Sequence, residues 1–212
     1  MINNFINDKK TRNKIVYYIN DLFKEVNKKI ILKYFNNLNS NDISTKTSDD
    51  DFVSIADKKS EELICKKLLG FLNVKKFIGE ESSYLNNKQY ITLLNEPLVW
   101  VVDPIDGTKN YINGKDTFCS MISLVSFSIP ISTFIYYPLK NIYVYGFKGF
   151  GAYSMNIDTN KITKLSINQT TPKLILGSGG TKGIPDPYRK SILENLRNNT
   201  NRVFIGSAGI ET

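Results

Sequence analysis

The run Leu98-Val99-Trp100-Val101-Val102 is uninterrupted apolar sequence, and it stops at Asp103-Pro104-Ile105-Asp106-Gly107-Thr108. A short apolar run bounded by turn residues reads as a buried strand. Two aspartates three residues apart therefore emerge where a sheet edge meets solvent. Two hard oxygen ligands, followed by a glycine and a hydroxyl in a tight turn, suit Mg²⁺ and phosphate better than Zn²⁺ or a nucleophile triad. Taken alone, these six residues also fit a plain turn, because Asp-Pro and Asp-Gly are common turn dipeptides. Their neighbours decide the matter.

The chain contains no histidine. Ser-His-Asp and Cys-His catalysis, phosphohistidine chemistry and His-ligated metal sites are thereby excluded from it. Hydrolytic chemistry would have to use carboxylates, hydroxyls, lysines, backbone amides and a hard metal. The two cysteines, Cys65 and Cys119, follow no framework or metal spacing, which predicts a reducing, cytoplasmic setting. No stretch approaches the ~20 apolar residues of a membrane span, and the N-terminal residues lack the apolar segment of a secretion signal. The formal net charge is +8, yet the lysines are scattered along the chain with no compact basic block. Nucleic acid is not an expected partner.

Apolar residues at helical spacing (Ile15, Ile19, Leu22, Val26, Ile30) predict a long amphipathic helix over 9–35. The polar stretch 36–51 reads as a loop. A second helix is expected over 56–69, burying Leu63, Ile64, Leu68 and Leu69, with Gly70 near its C-terminal cap. A short strand at 75–78 leads into Gly79-Glu80-Glu81-Ser82. Beyond the aspartate turn, strands are expected at 119–127, 131–137, 141–145 and 161–167. Strands at 174–176 and 202–205 flank a helix at 187–198. The order of elements predicts an α+β half, residues 1–165, joined to the start of an α/β half, residues 166–212.

Four acidic residues, Asp57, Glu80, Asp103 and Asp106, fall where helices and strands begin or end. Side chains remote in sequence can converge on one ion from such positions. Asp57 also reads as an ordinary first-turn acid complementing the helix dipole, and Glu80-Glu81 as a solvated pair. Together with Thr108, the four make the purely structural readings less economical.

With these residues in place, the sequence resembles the inositol monophosphatase family of Mg²⁺-dependent, lithium-sensitive phosphatases. The matching pieces are 51–57 (Asp-Phe-Val-Ser-Ile-Ala-Asp), 79–82 (Gly-Glu-Glu-Ser), 100–108, ending in Asp-Pro-Ile-Asp-Gly-Thr, and the looser 149–153. The resemblance implies a layered αβαβα sugar-phosphatase fold, its second half incomplete here. It also implies that Glu80, Asp103, Asp106 and the carbonyl of Ile105 hold Mg²⁺. Thr108 and Asp57 would then handle the attacking water, and Gly107 and Thr108 would face the phosphate. Ser178, Gly206 and Ser207 match substrate-contacting positions, and Ser207 also reads as a helix N-cap. The expected ligand is a small phosphorylated metabolite, and the expected assembly extends to a homodimer.

One departure bears on activity. The family pattern continues into a Trp-Asp motif whose aspartate completes the second metal position, and this sequence reaches Thr212 without it. The expected activity is hydrolysis of an inositol monophosphate-like ester. Bisphosphate nucleotidase and histidinol-phosphatase activities remain alternatives. So does a catalytically weak protein that binds a phosphometabolite or a partner without turnover.

Overall fold

The structure, a computed structural model, describes residues 6–46, 51–84, 89–166, 176–177, 188, 190–191, 194, 201–202 and 207–211. Helix α1 (Lys9–Val26) begins at Asp8, whose carboxylate accepts the amides of Lys10 and Thr11. These are among the first-turn donors that have no partner within a helix. The helical path continues through a wider π segment, Asn27–Ile31, and a last turn, Leu32–Tyr34. The expected 9–35 helix thus carries a local widening. There Asn27 donates through Nδ2 to the Tyr136 hydroxyl at 2.9 Å, a buried polar tie between helix and sheet.

The segment 36–51, expected as loop, contains a strand. Strand β1 (Ile43–Thr45) pairs antiparallel with β2 (Phe52–Ser54). Its polarity concealed it: β1 has exposed residues at 44 and 45 and no fully buried one, so no alternation marks the sequence. Helix α2 (Ile55–Leu68) follows directly. Of the four residues expected inside, Ile64 and Leu68 are fully buried and Leu63 partly so. Leu69 is 45% exposed. It is the extended C-cap residue and no longer follows the buried stripe of the helix.

Next come β3 (Phe77–Gly79), the short helices α3 (Glu80–Tyr84) and α4 (Gln89–Leu94), and β4 (Val99–Asp106). Helix α5 (Thr108–Ile112) precedes the hairpin strands β5 (Cys119–Ser126), β6 (Ile129–Tyr137), β7 (Ile142–Phe147), β8 (Gly151–Asn156) and β9 (Ile162–Leu165). Strand β8 escaped the sequence reading because Gly146, Gly149 and Gly151 look like punctuation; β8 nevertheless pairs along its length with β7. Strands β3 to β9 form one seven-stranded sheet in sequence order. The β3–β4 pair is parallel and the others are antiparallel. Helices packed on this mixed sheet make an α+β fold. Strands β10 (Leu176–Gly177) and β11 (Asn201–Arg202) pair in parallel, and α6 (Ala208–Glu211) ends the described chain. Tyr188, Lys190, Ser191 and Glu194 are helical, within the stretch expected as helix; the other residues of 187–198 lie outside the described residues. Among the described residues, no helix is long and apolar enough to cross a membrane.

The sheet has two unlike faces. Trp100, Val102, Ile122, Leu124, Phe134, Tyr136 and Tyr143 are buried in one core cluster with Ile15, Ile19, Phe23 and Val26 of α1. Residues on the opposite face, such as Val101, Asp103, Met121 and Ser123, are only partly buried. Phe23 clasps the layers: its ring lies 5.4 Å from Tyr136, stacked, and 6.0 Å from Tyr143, edge-on. Phe23→Ala should therefore cost about 3–5 kcal/mol, the range for emptying a buried aromatic site. Urea unfolding followed by circular dichroism measures it; a loss below about 1 kcal/mol would mean that this clasp does not hold the layers.

Candidate active site

Positions three apart on a regular strand point to opposite faces. Asp103 and Asp106 escape this through a bulge. Asp103 pairs with Met121 while Asp106 pairs with Cys119, so three steps along β4 match two along β5. The extra residue falls at Pro104-Ile105, and both aspartates are delivered to the same face of the sheet. Proline suits the position, since it has no ladder donor to lose. The freed Pro104 carbonyl accepts the Ser120 hydroxyl at 2.7 Å. Gly107 then turns the chain at φ 91°, a conformation costly for any residue with a Cβ, and α5 starts at Thr108.

Asp57 reaches this corner from α2. Ser54 is the N-cap and Asp57 the third residue of a capping box. Asp57 Oδ2 accepts from the Ser54 amide at 2.9 Å and from its hydroxyl. The other oxygen, Oδ1, accepts the Thr108 hydroxyl at 3.0 Å. Asp57 thus caps α2 through one oxygen and meets Thr108 through the other. Asp57 is fully buried, and burial pushes its carboxyl up to about 6 against the hydrogen bonds from Ser54 and Thr108, which favour the charged form. Thr108 Oγ1 is also 3.0 Å from the Ile105 carbonyl. Its single hydrogen is committed to one of these two acceptors, leaving oxygen lone pairs able to accept from a third group.

Glu80 arrives through the parallel pairing of β3 with β4. Gly79 lies opposite Val102, so the next residues in register are Glu80 and Asp103. Lys46 bridges Glu80 Oε1 at 2.8 Å and Glu81 Oε1 at 2.7 Å, with only 6% of its side chain exposed. Burial alone would lower the Lys46 ammonium, but its two carboxylate bonds hold it above the ordinary lysine range. Burial raises the Glu81 carboxyl to about 7, with Lys46 opposing. Asp103 is pushed well above the usual carboxylate range, first by burial and then by the charges of Glu80 and Asp106. Its Oδ1 is out of solvent and has no hydrogen-bond partner among the described residues. Asp106 Oδ2 accepts from the Ser207 hydroxyl and the Gly209 amide, each at 2.7 Å.

The sequence-predicted residues are therefore distributed as follows. Asp57, Thr108 and the Ile105 carbonyl share one hydrogen-bonded group, and Gly107 forms the turn beside them. Glu80, Asp103 and Asp106 occupy the same end of the sheet, and Ser207 bonds Asp106. Ser178 and Gly206 lie outside the described residues. Lys46 and Glu61 were missed. Lys46 sits 34 residues from Glu80 with no motif to link them; Glu61, one turn after Asp57, shares its helix face, a spacing that could have drawn attention. A cavity of about 570 Å³ opens beside the cluster, lined by Lys46, Glu80, Asp103 and Met121 among others.

This all-oxygen donor set, with an orphaned carboxylate oxygen on Asp103, fits a hard divalent cation in kind. It is not drawn tightly together. Among the described residues, no three acidic or cysteine side chains gather closely enough to hold an ion. Lys46 compensates Glu80, and Ser207 with Gly209 compensates Asp106, so an entering cation must exchange with these contacts.

Residues 14–212 match the family model described as the inositol monophosphatase family. An Aquifex aeolicus fructose-1,6-bisphosphatase/inositol-1-monophosphatase is 34% identical over 142 residues, 67% of this chain and 48% of that protein. Inositol monophosphatase 1 of Solanum lycopersicum is 35% identical over 128 residues, 60% of this chain and 44% of its own length. The chain thus spans about half the length of these curated relatives. Among solved structures, a Thermotoga maritima IMPase superposes with a TM-score of 0.70 at 19% identity, covering 92% of this chain and 69% of that one. The chain belongs to the inositol monophosphatase family.

Proposed function

We propose that this chain carries the catalytic corner of a Mg²⁺-dependent phosphomonoesterase acting on a small polyol or sugar phosphate. The observation that carries the reading is the pairing at one sheet corner of two same-face aspartates, Asp103 and Asp106, with the Thr108–Asp57 hydroxyl–carboxylate pair at 3.0 Å. The names of the relatives support the substrate class: inositol phosphates and fructose 1,6-bisphosphate are what those proteins are named for. Glu80, Asp103, Asp106 and the Ile105 carbonyl would hold Mg²⁺, and the chemistry the ion would supply there is neutralisation of charge on the phosphate and leaving oxygens.

The chain's own residues account for the water. Thr108, its hydrogen turned to Asp57 Oδ1, offers a lone pair to a water and orients it. As the water oxygen bonds to phosphorus and the ester P–O bond breaks, the water proton passes to Thr108 and the Thr108 proton to Asp57, while the leaving oxygen takes a proton from solvent water and departs as the alcohol. A carboxyl raised to about 6 retains such a proton better than an ordinary aspartate does. The amides of the Gly107–Thr108 turn would face the phosphate, as the family resemblance implies. A second reading, binding without turnover, is favoured by the contacts that already satisfy Glu80 and Asp106. Phosphate release from inositol 1-phosphate and fructose 1,6-bisphosphate, with and without Mg²⁺, separates the two. Release no greater than in the metal-free control would remove the enzyme reading.

Asp106→Asn should abolish turnover and weaken Mg²⁺ binding at unchanged fold, because a ligand charge is lost at nearly constant volume. Thr108→Ala should keep Mg²⁺ affinity and lose roughly 10²–10⁴ in rate, the usual scale for a proton-handling group. A near-normal rate in Thr108→Ala would take the water-orienting role from this residue. The rate should also fall in acid as Asp57 protonates, since only the carboxylate can accept the Thr108 proton. The midpoint should lie at or below about 6, because a bound cation stabilises the carboxylate. A rate-against-pH profile at saturating Mg²⁺ checks this; a flat profile from pH 4.5 to about 7 would exclude Asp57 as the acceptor.

A further inference from the structure

Glu61 is a buried acid, 5% exposed, that the chemistry above does not use. Its carboxylate accepts two consecutive backbone amides, Oε2 from Glu81 at 2.7 Å and Oε1 from Ser82 at 2.9 Å. These are the amides immediately after Glu80, in the opening turn of α3, where no intrahelical acceptor is available. On the other side of Glu80, Gly79 packs so closely that an added Cβ would overlap the same carboxylate. One side chain therefore fixes the backbone both before and after Glu80.

We propose that Glu61 is a positioning residue that sets where Glu80 stands relative to the Asp57–Thr108 pair. The proposal rests on the Mg²⁺ reading above, with Glu80 as a ligand. Asp57 and Glu61 are four residues apart and share one face of α2. Asp57 holds the element that follows β4, and Glu61 holds the element that follows β3. A single helix face thus spans the two ends of a parallel strand pair and maintains their spacing. Burying a carboxylate is costly unless both oxygens are bonded. Here both are used, and both bonds act on the backbone that carries Glu80.

Mg²⁺ titration calorimetry on this chain tests the assignment. Glu61→Gln preserves volume but turns an amide NH₂ toward a backbone N–H. Its Mg²⁺ affinity should fall about 10–100-fold, the usual loss when a group supporting a metal ligand is removed. Gly79→Ala should give the same loss with Glu61 intact, and the double variant should be no worse than the poorer single one. Glu62→Gln, one residue on and exposed, should bind as the unsubstituted chain does. A role in folding alone predicts lowered thermal stability with unchanged Mg²⁺ affinity; that result, in a folded Glu61→Gln, overturns the proposal and leaves the Mg²⁺ reading standing. Absence of Mg²⁺ binding by the unsubstituted chain overturns the Mg²⁺ reading itself, and the positioning role with it. Should Glu61→Gln fail to fold, amide hydrogen exchange on the unsubstituted chain decides. Protection at Glu81 and Ser82 supports the bonds, and exchange at free-peptide rates overturns them.

Discussion

The bulge at Pro104-Ile105 is the constraint on which the site depends. Without it, β4 would present Asp103 and Asp106 on opposite sides of the sheet, one toward the packed core and one away. With it, both face the side not covered by α1, and the Ile105 carbonyl is released from the ladder to meet Thr108. The strand that carries them must be rigid for this to matter. Val99, Trp100 and Val102 are fully or almost fully buried, and β4 pairs on both edges, with β3 and with β5. The candidate site therefore begins where a buried strand, paired on both edges, ends.

Helix α2 is the second fixed reference. It is held at its start by the Ser54–Asp57 capping box and along its length by the buried Ala56, Ile64 and Leu68. From that base it contacts both strand ends that flank the corner, through Asp57 to Thr108 and through Glu61 to the amides after Glu80. Neither contact comes from a loop. Groups mounted on helices and strands keep their separation better than groups on connections, which is what an arrangement of charges around a cation requires.

The fold was legible where periodicity was strong. Ile15, Ile19, Leu22 and Val26 mark α1 because one face of a helix must meet an apolar sheet. The run at 98–102 marks β4 because a strand buried on both faces has no polar alternation to show. What stayed hidden had no such pattern. Strand β1 buries little, β8 opens on a glycine that reads as a turn, and the π segment at Asn27–Ile31 has no sequence signature. The aspartate turn, Glu80, Asp57 and Thr108 could be singled out because each ends or begins an element. Lys46 could not, since its meaning comes only from folding β1 against α3. The bulge itself was not foreseen, although Pro104 between two aspartates is the residue that disrupts a ladder.

The charge balance of the corner explains why such a site is expensive to build. Asp57, Glu80, Glu81, Asp103 and Asp106 share this end of the sheet, and Lys46 pairs with two of them, Glu80 and Glu81. Asp57, Glu81 and Asp103 are withdrawn from water, which disfavours their charged forms, and neighbouring carboxylates add to the penalty. Asp57 near 6, Glu81 near 7 and a strongly raised Asp103 all follow from this. The sign is unambiguous. A carboxyl whose folded value is raised stabilises the fold below the ordinary carboxylate range, and that contribution is lost as pH rises through its folded value. Near neutral pH the protein thus carries repulsion that Lys46 only partly offsets. Ligands that bind the folded state alone return stability by mass action, and a divalent cation is the ligand best suited to do so here. An arrangement that lowers stability locally, uses no histidine and leaves a buried carboxylate oxygen without a partner is hard to explain by folding requirements alone. It is accounted for if the corner is built to receive positive charge.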